Sequence, residues 1–331
     1  MRKIAVVIPC YRVTDHILGV LSKIDEHVWR VYAVDDCCPE NSGEFIERHC
    51  VDPRVRVLRN AKNEGVGGAV MTGYKAAIGD GAEVPVKIDG DGQMDPALLK
   101  YFVTPILNGH ADYTKGNRFY DLTFINQMPK IRIFGNAVLS FLTKISTGYW
   151  SVFDPTNGYT AIHAKVAESL PMDKISKRYF FETDMLFRLN TIRAVIIDVP
   201  MHSRYGDEKS NLSIKRILPE FLGKHLRNFG KRVFYNYFLR DMTVASFELV
   251  IGMILFPFGT LFGLYHWISN LFVKQATPFG TIMVSTLCVL MGLQLLLAFI
   301  AFDVANVPRK SIHDMLTSRR DEFVPSSESK G

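Results

Sequence analysis

Two runs set the tightest limit on this chain. Leu249–Phe272 carries no acidic or basic side chain except His266, and Phe279–Phe302 carries none. A helix of about 24 residues is roughly 36 Å long, enough to cross a hydrocarbon core of about 30 Å with some tilt. Each run therefore reads as a membrane-spanning helix, and Val273–Pro278 between them is too short for anything but a tight hairpin.

Charge placement supports that reading. The chain holds 39 Lys and Arg against 33 Asp and Glu, a surplus that would suit nucleic acid as well as anionic lipid if it were evenly spread. It is concentrated instead just before the first span, at Lys209, Lys215, Arg216, Lys224, Arg227, Lys231, Arg232 and Arg240, opposed there by Glu220 and Asp241. A nucleic-acid binder would place basic and aromatic residues together on the soluble part, so nucleic acid is not an expected partner. In the same region Ile217, Leu218, Phe221, Leu222, Leu226, Phe229, Val233, Tyr237 and Phe238 recur at three- and four-residue intervals. That spacing predicts one or two amphipathic helices lying in the membrane interface, with Pro219 near a helix start. Further basic residues follow the second span, at Arg309, Lys310, Arg319 and Arg320, so both termini and the soluble domain are expected on the cytoplasmic side of a cell (inner) membrane protein.

Ahead of these segments, from residue 4 to about 115, short Val/Ile-rich runs alternate with helical patterns, which predicts an α/β sheet with parallel strands. The runs are Ile4–Ile8, Val31–Val34, Val55–Leu58 and Val84–Ile88. The first is basic-then-apolar but too short for a signal peptide and ends at Pro9. In open sheets of this kind ligands bind at the carboxyl ends of the strands. Pro9–Arg12, Asp35-Asp36 and Asp89-Gly90-Asp91 all fall at such ends. The five cysteines (Cys10, Cys37, Cys38, Cys50 and Cys288) lack a C-x-x-C pair and companion histidines, which predicts reduced thiols.

Asp89 and Asp91 flank a glycine, so both carboxylates can turn toward one point while the backbone stays close to a ligand. Hard cations such as Mg²⁺ or Mn²⁺ take oxygen ligands of this kind and share them with substrate phosphates. Asn63–Gly73 is glycine-rich, but a dinucleotide fingerprint belongs after the first strand, where this chain has Pro-Cys-Tyr-Arg.

Taken in order, Ile8-Pro-Cys-Tyr11, Val34-Asp-Asp36, Asn63-Glu-Gly-Val-Gly-Gly-Ala69, Asp89-Gly-Asp-Gly-Gln93 and Gly116-Asn-Arg118 resemble the family 2 glycosyltransferases of GT-A fold. The closest pattern is that of the dolichyl- and undecaprenyl-phosphate sugar synthases. The resemblance covers about residues 4–212 and implies a GT-A (Rossmann-like) nucleotide-sugar-binding domain over residues 1–212. Amphipathic juxtamembrane helices over 213–242, a two-helix transmembrane hairpin over 243–305 and a cytoplasmic tail over 306–331 would follow. It implies that Pro9, Tyr11, Asp35, Asp36, Asn63 and Gly65 border the nucleotide, that Asp89 contacts the donor, and that Asp91 and Gln93 take the metal. Where the family often shows Asp-Ala-Asp-Leu-Gln, this chain has Asp-Gly-Asp-Gly-Gln.

The same resemblance places Arg118, Arg132 and Asn136 at the phosphate of a polyprenyl acceptor, for which arginine's planar fork is well suited. Asp154, Asn157, Gly158 and Glu182 would shape the sugar pocket. Asp184 would stand near the reacting carbon, and Arg204 and Lys209 would close a loop over the pyrophosphate. His163 and His202 read as structural.

The implied reaction is an inverting transfer of one hexose from a UDP- or GDP-sugar to a polyprenyl phosphate, and homo-oligomerisation is compatible with it. Three rivals stand beside it. One is a same-fold enzyme extending a lipid-linked glycan, and another is a scaffold subunit with a dead catalytic domain. A processive synthase is disfavoured by the missing Gln-x-x-Arg-Trp signature.

Overall fold

The computed structural model describes residues 2–120, 130–201 and 214–316, with the backbone alone at 130–132 and 214–218. His202, Arg204 and Lys209 lie outside the described residues, as does the side chain of Arg132. The chain divides into two compact units, Met1–Phe229 with Pro308–Gly331, and Gly230–Val307.

In the first unit the apolar runs become β1 (Ile4–Cys10), β2 (Arg30–Asp35), β3 (Val55–Arg59) and β4 (Val84–Lys87), followed by β5 (Tyr113–Asn117), β6 (Thr160–Ile162) and β7 (Ile196–Pro200). Between them lie α1 (Ile17–Leu21), α2 (Ser42–His49), α3 (Val66–Gly79), α4 (Leu99–Leu107), α5 (Lys130–Thr147), α6 (Ala164–Ser169) and α7 (Phe181–Thr191). Among the described residues these strands form one seven-stranded sheet in the order β3-β2-β1-β4-β6-β5-β7. The sheet is mixed rather than wholly parallel. β1 to β4 pair in parallel, as do β5 and β7, but β6 runs antiparallel to both β4 and β5. β6 enters the sheet from the Asn157-Gly158 turn and runs against both neighbours, although α5 lies between β5 and β6 in the chain.

Alternation along the strands decides which side chains reach the site. Val6, Ile8 and Cys10 of β1 and Val84, Val86 and Ile88 around β4 share one buried cluster with Leu99, Phe102, Val103 and Ile106 of α4. Successive side chains of a strand point to opposite faces, so Lys87 and Asp89 fall on the other face, where α3 and α7 pack. On that face α3 comes so close that a Cβ on Gly73 would overlap the Val7 side chain.

The segment after the apolar hairpin belongs to the first unit. Asp112, at the start of β5, accepts the Val195 amide at 2.7 Å, the Ile312 amide at 3.0 Å, the His313 amide at 3.0 Å and His313 Nδ1 at 2.8 Å. The His313 ring stacks on His163 with centroids 4.3 Å apart. Asp112 is wholly buried, so removing its carboxylate strands several donors at once. Asp112→Ala is expected to cost about 2–3 kcal/mol in thermal or denaturant unfolding. Burial first, then the neighbouring His313, pushes His163 down from 6.5 to about 4. An unfolded chain therefore binds that proton more readily, and the contribution of the neutral ring is whole above about pH 6.5 and lost as pH falls toward 4.

α8 (Ile214–Phe234) is amphipathic, as its spacing predicts, and is one helix; it continues as a π-helical turn, Tyr235–Arg240. Pro219 sits inside α8 rather than at its start. The residues of α8 that belong to the first unit pack on α5 and α7: His225 Nδ1 lies 2.8 Å from Ser146 Oγ, and the Phe221 ring meets Phe180 edge-on at 5.4 Å.

In the second unit α9 (Val244–Val273) and α10 (Phe279–Ala305) are long and apolar enough to cross a membrane. They pack through small residues, since a Cβ on Gly259 would stand 2.7 Å from Cys288 Cβ and one on Gly292 would strike the Phe256 backbone. Near the end of α10 Asp303 takes both arms of Arg232, at 2.6 and 3.1 Å, and the Tyr237 hydroxyl at 2.6 Å.

Candidate active site

The loops that leave β1 and β2 interlock with the loop before α3. Asp35 is buried and accepts the Cys38 and Gly43 amides, both at 2.7 Å. Its charge sits at the start of α2, where a helix favours an anion. Gly43 permits this approach, because a Cβ there would stand 2.8 Å from Asp35 Oδ2. Asp36 accepts Asn60 Nδ2 at 2.8 Å and the Glu64 and Gly65 amides at 2.9 and 2.7 Å. Thus the acidic pair braces the walls of the rim, Asp35 holding α2 and Asp36 holding the Asn63–Gly65 loop. That loop turns at Gly65, whose φ of +84° favours glycine. Tyr11 and Asn63 stand exposed on the same rim, and Pro9 is half-buried in β1. Arg12, itself at φ 57°, lies over the Tyr11 ring at 5.6 Å and donates its amide to Cys38 Sγ at 3.1 Å.

At the end of β4 three charged groups converge. Lys87 is 1% exposed, and its Nζ lies 2.8 Å from Asp89 Oδ1 and 3.4 Å from Glu182 Oε1 of α7. Burial disfavours the ammonium, but the two carboxylates outweigh it and hold Lys87 protonated well above the usual lysine range. The Asn157-Gly158 turn passes against this pair, and a Cβ on Gly158 would overlap both Asp89 Oδ2 and Lys87 Nζ. Beyond Asp89 the chain turns at Gly92, with φ +78°, and Asp91 Oδ1 accepts the Gln93 amide at 3.0 Å.

No group of three or more His, Cys, Asp or Glu side chains placed to hold a metal ion occurs among the described residues. The donor set at this turn is instead two carboxylates and an amide oxygen. Asp89 Oδ1 is buried and accepts no hydrogen bond beyond its ion-pair contact with Lys87. Oxygen ligands that leave room for phosphates and water fit Mg²⁺ or Mn²⁺.

A second buried group lies on β5 and the loop before β6. Arg118 grips Asp154 bidentately, Nε at 2.7 Å and Nη2 at 2.9 Å, and also reaches Thr156 Oγ1 at 3.1 Å. Asp154 is wholly buried, and although burial raises its pKa, the Arg118 fork outweighs that and holds the carboxyl below the usual range. Behind it Lys115 donates to the Asn157 carbonyl, and burial brings its pKa down to about 8. Asp198, on β7, accepts the Phe153 amide at 3.0 Å and Asn117 Nδ2 at 3.1 Å, while burial pushes it up to about 6.

Asp184 belongs to a third group. Its Oδ2 accepts the Ser176 amide at 2.9 Å and Arg188 Nε at 3.2 Å, and its Oδ1 accepts Asn228 Nδ2 of α8 at 3.1 Å. It therefore ties α7, the preceding loop and α8 together.

The structure brings Asp89, Glu182 and Gly158 to one spot, and places Arg118, Asp154 and Asn157 beside each other. It sets Asp184 apart in a contact between helices. Asn136 is on α5, whose Phe134, Val138 and Phe141 form an exposed apolar stripe. No acidic residue occurs between Lys130 and Thr147.

Sequence reasoning missed Lys87, Lys115 and Asp198. The available signal was a lysine in an otherwise apolar strand (Val84-Pro-Val-Lys-Ile88), which must find a counter-charge if the strand is central.

A family model described as Glycosyl transferase family 2 matches residues 5–170. The chain is 27% identical over 218 residues to the UDP-N-acetylglucosamine–dolichyl-phosphate N-acetylglucosaminyltransferase of Methanococcus voltae, covering 62% of this chain and 86% of that one. It is 29% identical over 203 residues to the undecaprenyl-phosphate mannosyltransferase of Micrococcus luteus, covering 60% and 82%. Among solved structures it resembles glucosyl-3-phosphoglycerate synthase from Mycobacterium tuberculosis in complex with Mn²⁺ and UDP-glucose. That likeness, with a TM-score of 0.54 and 18% identity over 69% of this chain and 79% of that one, is one of fold.

Proposed function

The chain belongs to glycosyl transferase family 2 and is a glycosyltransferase, and we propose that it moves one hexose, with inversion, from a nucleoside-diphosphate sugar to the phosphate of a polyprenyl lipid. One observation carries the choice of acceptor. The two relatives transfer different sugars, N-acetylglucosamine and mannose, yet both are named for a polyprenyl phosphate. The exposed apolar stripe of α5, on a helix without acidic residues, is in keeping with such a lipid.

In this reading Pro9, Tyr11, Asn63 and Gly65 border the base and ribose, on walls that Asp35 and Asp36 hold in place. Asp91 and Gln93 hold Mg²⁺ or Mn²⁺, with Asp89 beside them at the donor. Such a cation, when bound, neutralises charge on the departing nucleoside diphosphate. The bond from the anomeric carbon to the diphosphate oxygen breaks as a bond from that carbon to a lipid phosphate oxygen forms on the opposite face.

A phosphate monoester is largely dianionic near neutral pH, its second pKa being about 6, so the attacking oxygen needs no strong base. Asp184 then acts through position, consistent with both its oxygens being held by protein donors. Glu182, with Asp89, faces the sugar. The Arg118–Asp154 fork and Asn136, with Arg132, form the acceptor side, while Arg204 and Lys209 neutralise charge on the pyrophosphate. The two apolar helices form a transmembrane hairpin in the cell membrane, with the catalytic domain and both termini cytoplasmic. That arrangement follows from the basic residues flanking the spans.

The test is nucleoside-diphosphate release from a panel of UDP- and GDP-sugars, with a short polyprenyl phosphate and Mg²⁺ or Mn²⁺, before and after chelation. One donor is expected to turn over in a metal- and lipid-dependent way. Turnover that ignores the lipid phosphate but rises with a lipid-linked glycan would replace this acceptor by its rival.

A further inference from the structure

We propose that Lys87 is a positioning residue for glycosyl transfer, its buried ammonium pinning the carboxylates of Asp89 and Glu182 side by side at the floor of the sugar pocket. The inference rests on the reading that Asp89 contacts the donor. Lys87 itself is too deeply buried to touch a substrate, being 1% exposed, so its effect must pass through its partners.

Three observations carry it. First, the charge is costly where it stands. An ammonium drawn from water is repaid only by well-placed counter-charges, and replacing all members of a buried ion cluster by apolar side chains of similar volume often leaves a protein equally stable or more so. Apolar residues at Lys87 and its two partners together would fill this space without that cost, whereas removing Lys87 alone strands the two carboxylates. The ion pair is therefore better explained by what it orders than by what it stabilises.

Second, the ammonium joins two elements that the reaction needs together. Asp89 follows β4, which leads into the Asp91-Gly92-Gln93 turn, whereas Glu182 is in the first turn of α7. Lys87 Nζ lies 2.8 Å from the first and 3.4 Å from the second. Without it, two like charges would face each other across the floor and separate.

Third, the chain above the pair is shaped to it. Only a backbone without a Cβ passes there, since a Cβ on Gly158 would overlap Lys87 Nζ and Asp89 Oδ2. A displacement of either carboxylate would therefore meet the Asn157-Gly158 turn, itself part of the sugar pocket.

The surroundings leave Lys87 no other charged partner among the described residues. Tyr74 of α3 approaches from one side, and the second buried lysine, Lys115, is directed instead to the Asn157 carbonyl near Asp154.

The experiment compares wild type, Lys87→Met, Lys87→Arg, Glu182→Gln and the double variant Lys87→Met/Glu182→Gln in the full chain, in detergent. Steady-state nucleoside-diphosphate release is followed with a polyprenyl phosphate acceptor and with water alone, and thermal unfolding is recorded for each. Lys87→Met is expected to lower kcat about 100-fold with the donor KM within about threefold, because a misplaced carboxylate harms the transition state more than ground-state binding. Lys87→Arg, which still bridges two carboxylates, is expected to stay within about tenfold of wild type. Removing Glu182 in the Lys87→Met background should cost little more, since groups acting as one unit are not additive. The double variant exchanges a charged pair for a neutral one of similar size, so it tests the proposal even if Lys87→Met folds poorly.

A wild-type kcat in Lys87→Met, an effect on KM alone, or losses that multiply in the double variant would overturn the proposal. Failure of the acceptor reading looks different. Wild type would then release nucleoside diphosphate with no dependence on lipid phosphate, while the Lys87 comparison would still be read from release to water.

Discussion

Asp91→Ala is expected to lower turnover by about 10³-fold, with a thermal unfolding midpoint close to that of wild type. The expectation joins two features of the turn after β4. The Asp91 carboxylate is half-buried and accepts the Gln93 amide two residues on, a local turn contact that contributes little to the fold as a whole. The reaction loses a ligand at the place where a cation would meet the diphosphate. Asp91→Asn separates the two effects, because it keeps an oxygen for the Gln93 amide but gives up the charge. Its turnover should fall nearly as far while its unfolding midpoint stays put. A variant that binds donor and turns over normally after loss of the Asp91 charge would remove the metal from this site.

Asp154→Ala should act the other way, first on stability. The carboxylate is wholly buried beneath the Arg118 fork, with Lys115 nearby. Deleting it removes the buried partner of the Arg118 fork and leaves the buried Lys115 with Glu182 and Asp198 to face, and breaking a buried pair from one side costs about 3–5 kcal/mol. That is a large share of the stability of a typical domain, about 5–15 kcal/mol, so poor yield and a markedly lower unfolding midpoint are expected.

The pH dependence follows from the depressed carboxyl. Its folded value lies below that of the unfolded chain, so its contribution is whole above about pH 4 and fades as the solution is acidified through the folded value. The deficit of Asp154→Ala should therefore be undiminished at pH 6 to 8 and narrow only in strong acid. A midpoint unchanged at neutral pH would mean that Arg118 and Lys115 find other partners.

How far the chain could be read without its structure depended on how local each signal was. The ends of β1, β2 and β4 were legible because a short apolar run stops at a proline or a carboxylate, and those stops fixed the rim. The hairpin was legible because an uncharged run of that length has few other uses.

β6 was not legible, since three residues, Thr160–Ile162, carry no periodicity, and with it went the antiparallel step that brings Gly158 over Asp89. Nor was the docking of Ser311–His313 onto Asp112, because a polar stretch after a span looks like a free tail until a buried carboxylate two hundred residues earlier is placed beside it. The acidic pair Asp35-Asp36 was found, but sequence could not show that its oxygens brace α2 and the Asn63–Gly65 loop. Charge pairing over long separations, as between Lys87 and Glu182, is invisible to any pattern read along one chain.

The central claim is that the sugar goes to a lipid phosphate. It is tested most directly by the mass of the product formed from a short polyprenyl phosphate and the donor that turns over. The account predicts a lipid heavier by one hexosyl residue, with a single phosphate retained, formed by wild type and lost in Asp91→Ala. Free sugar as the sole product, or addition only to a lipid-linked glycan, would contradict it.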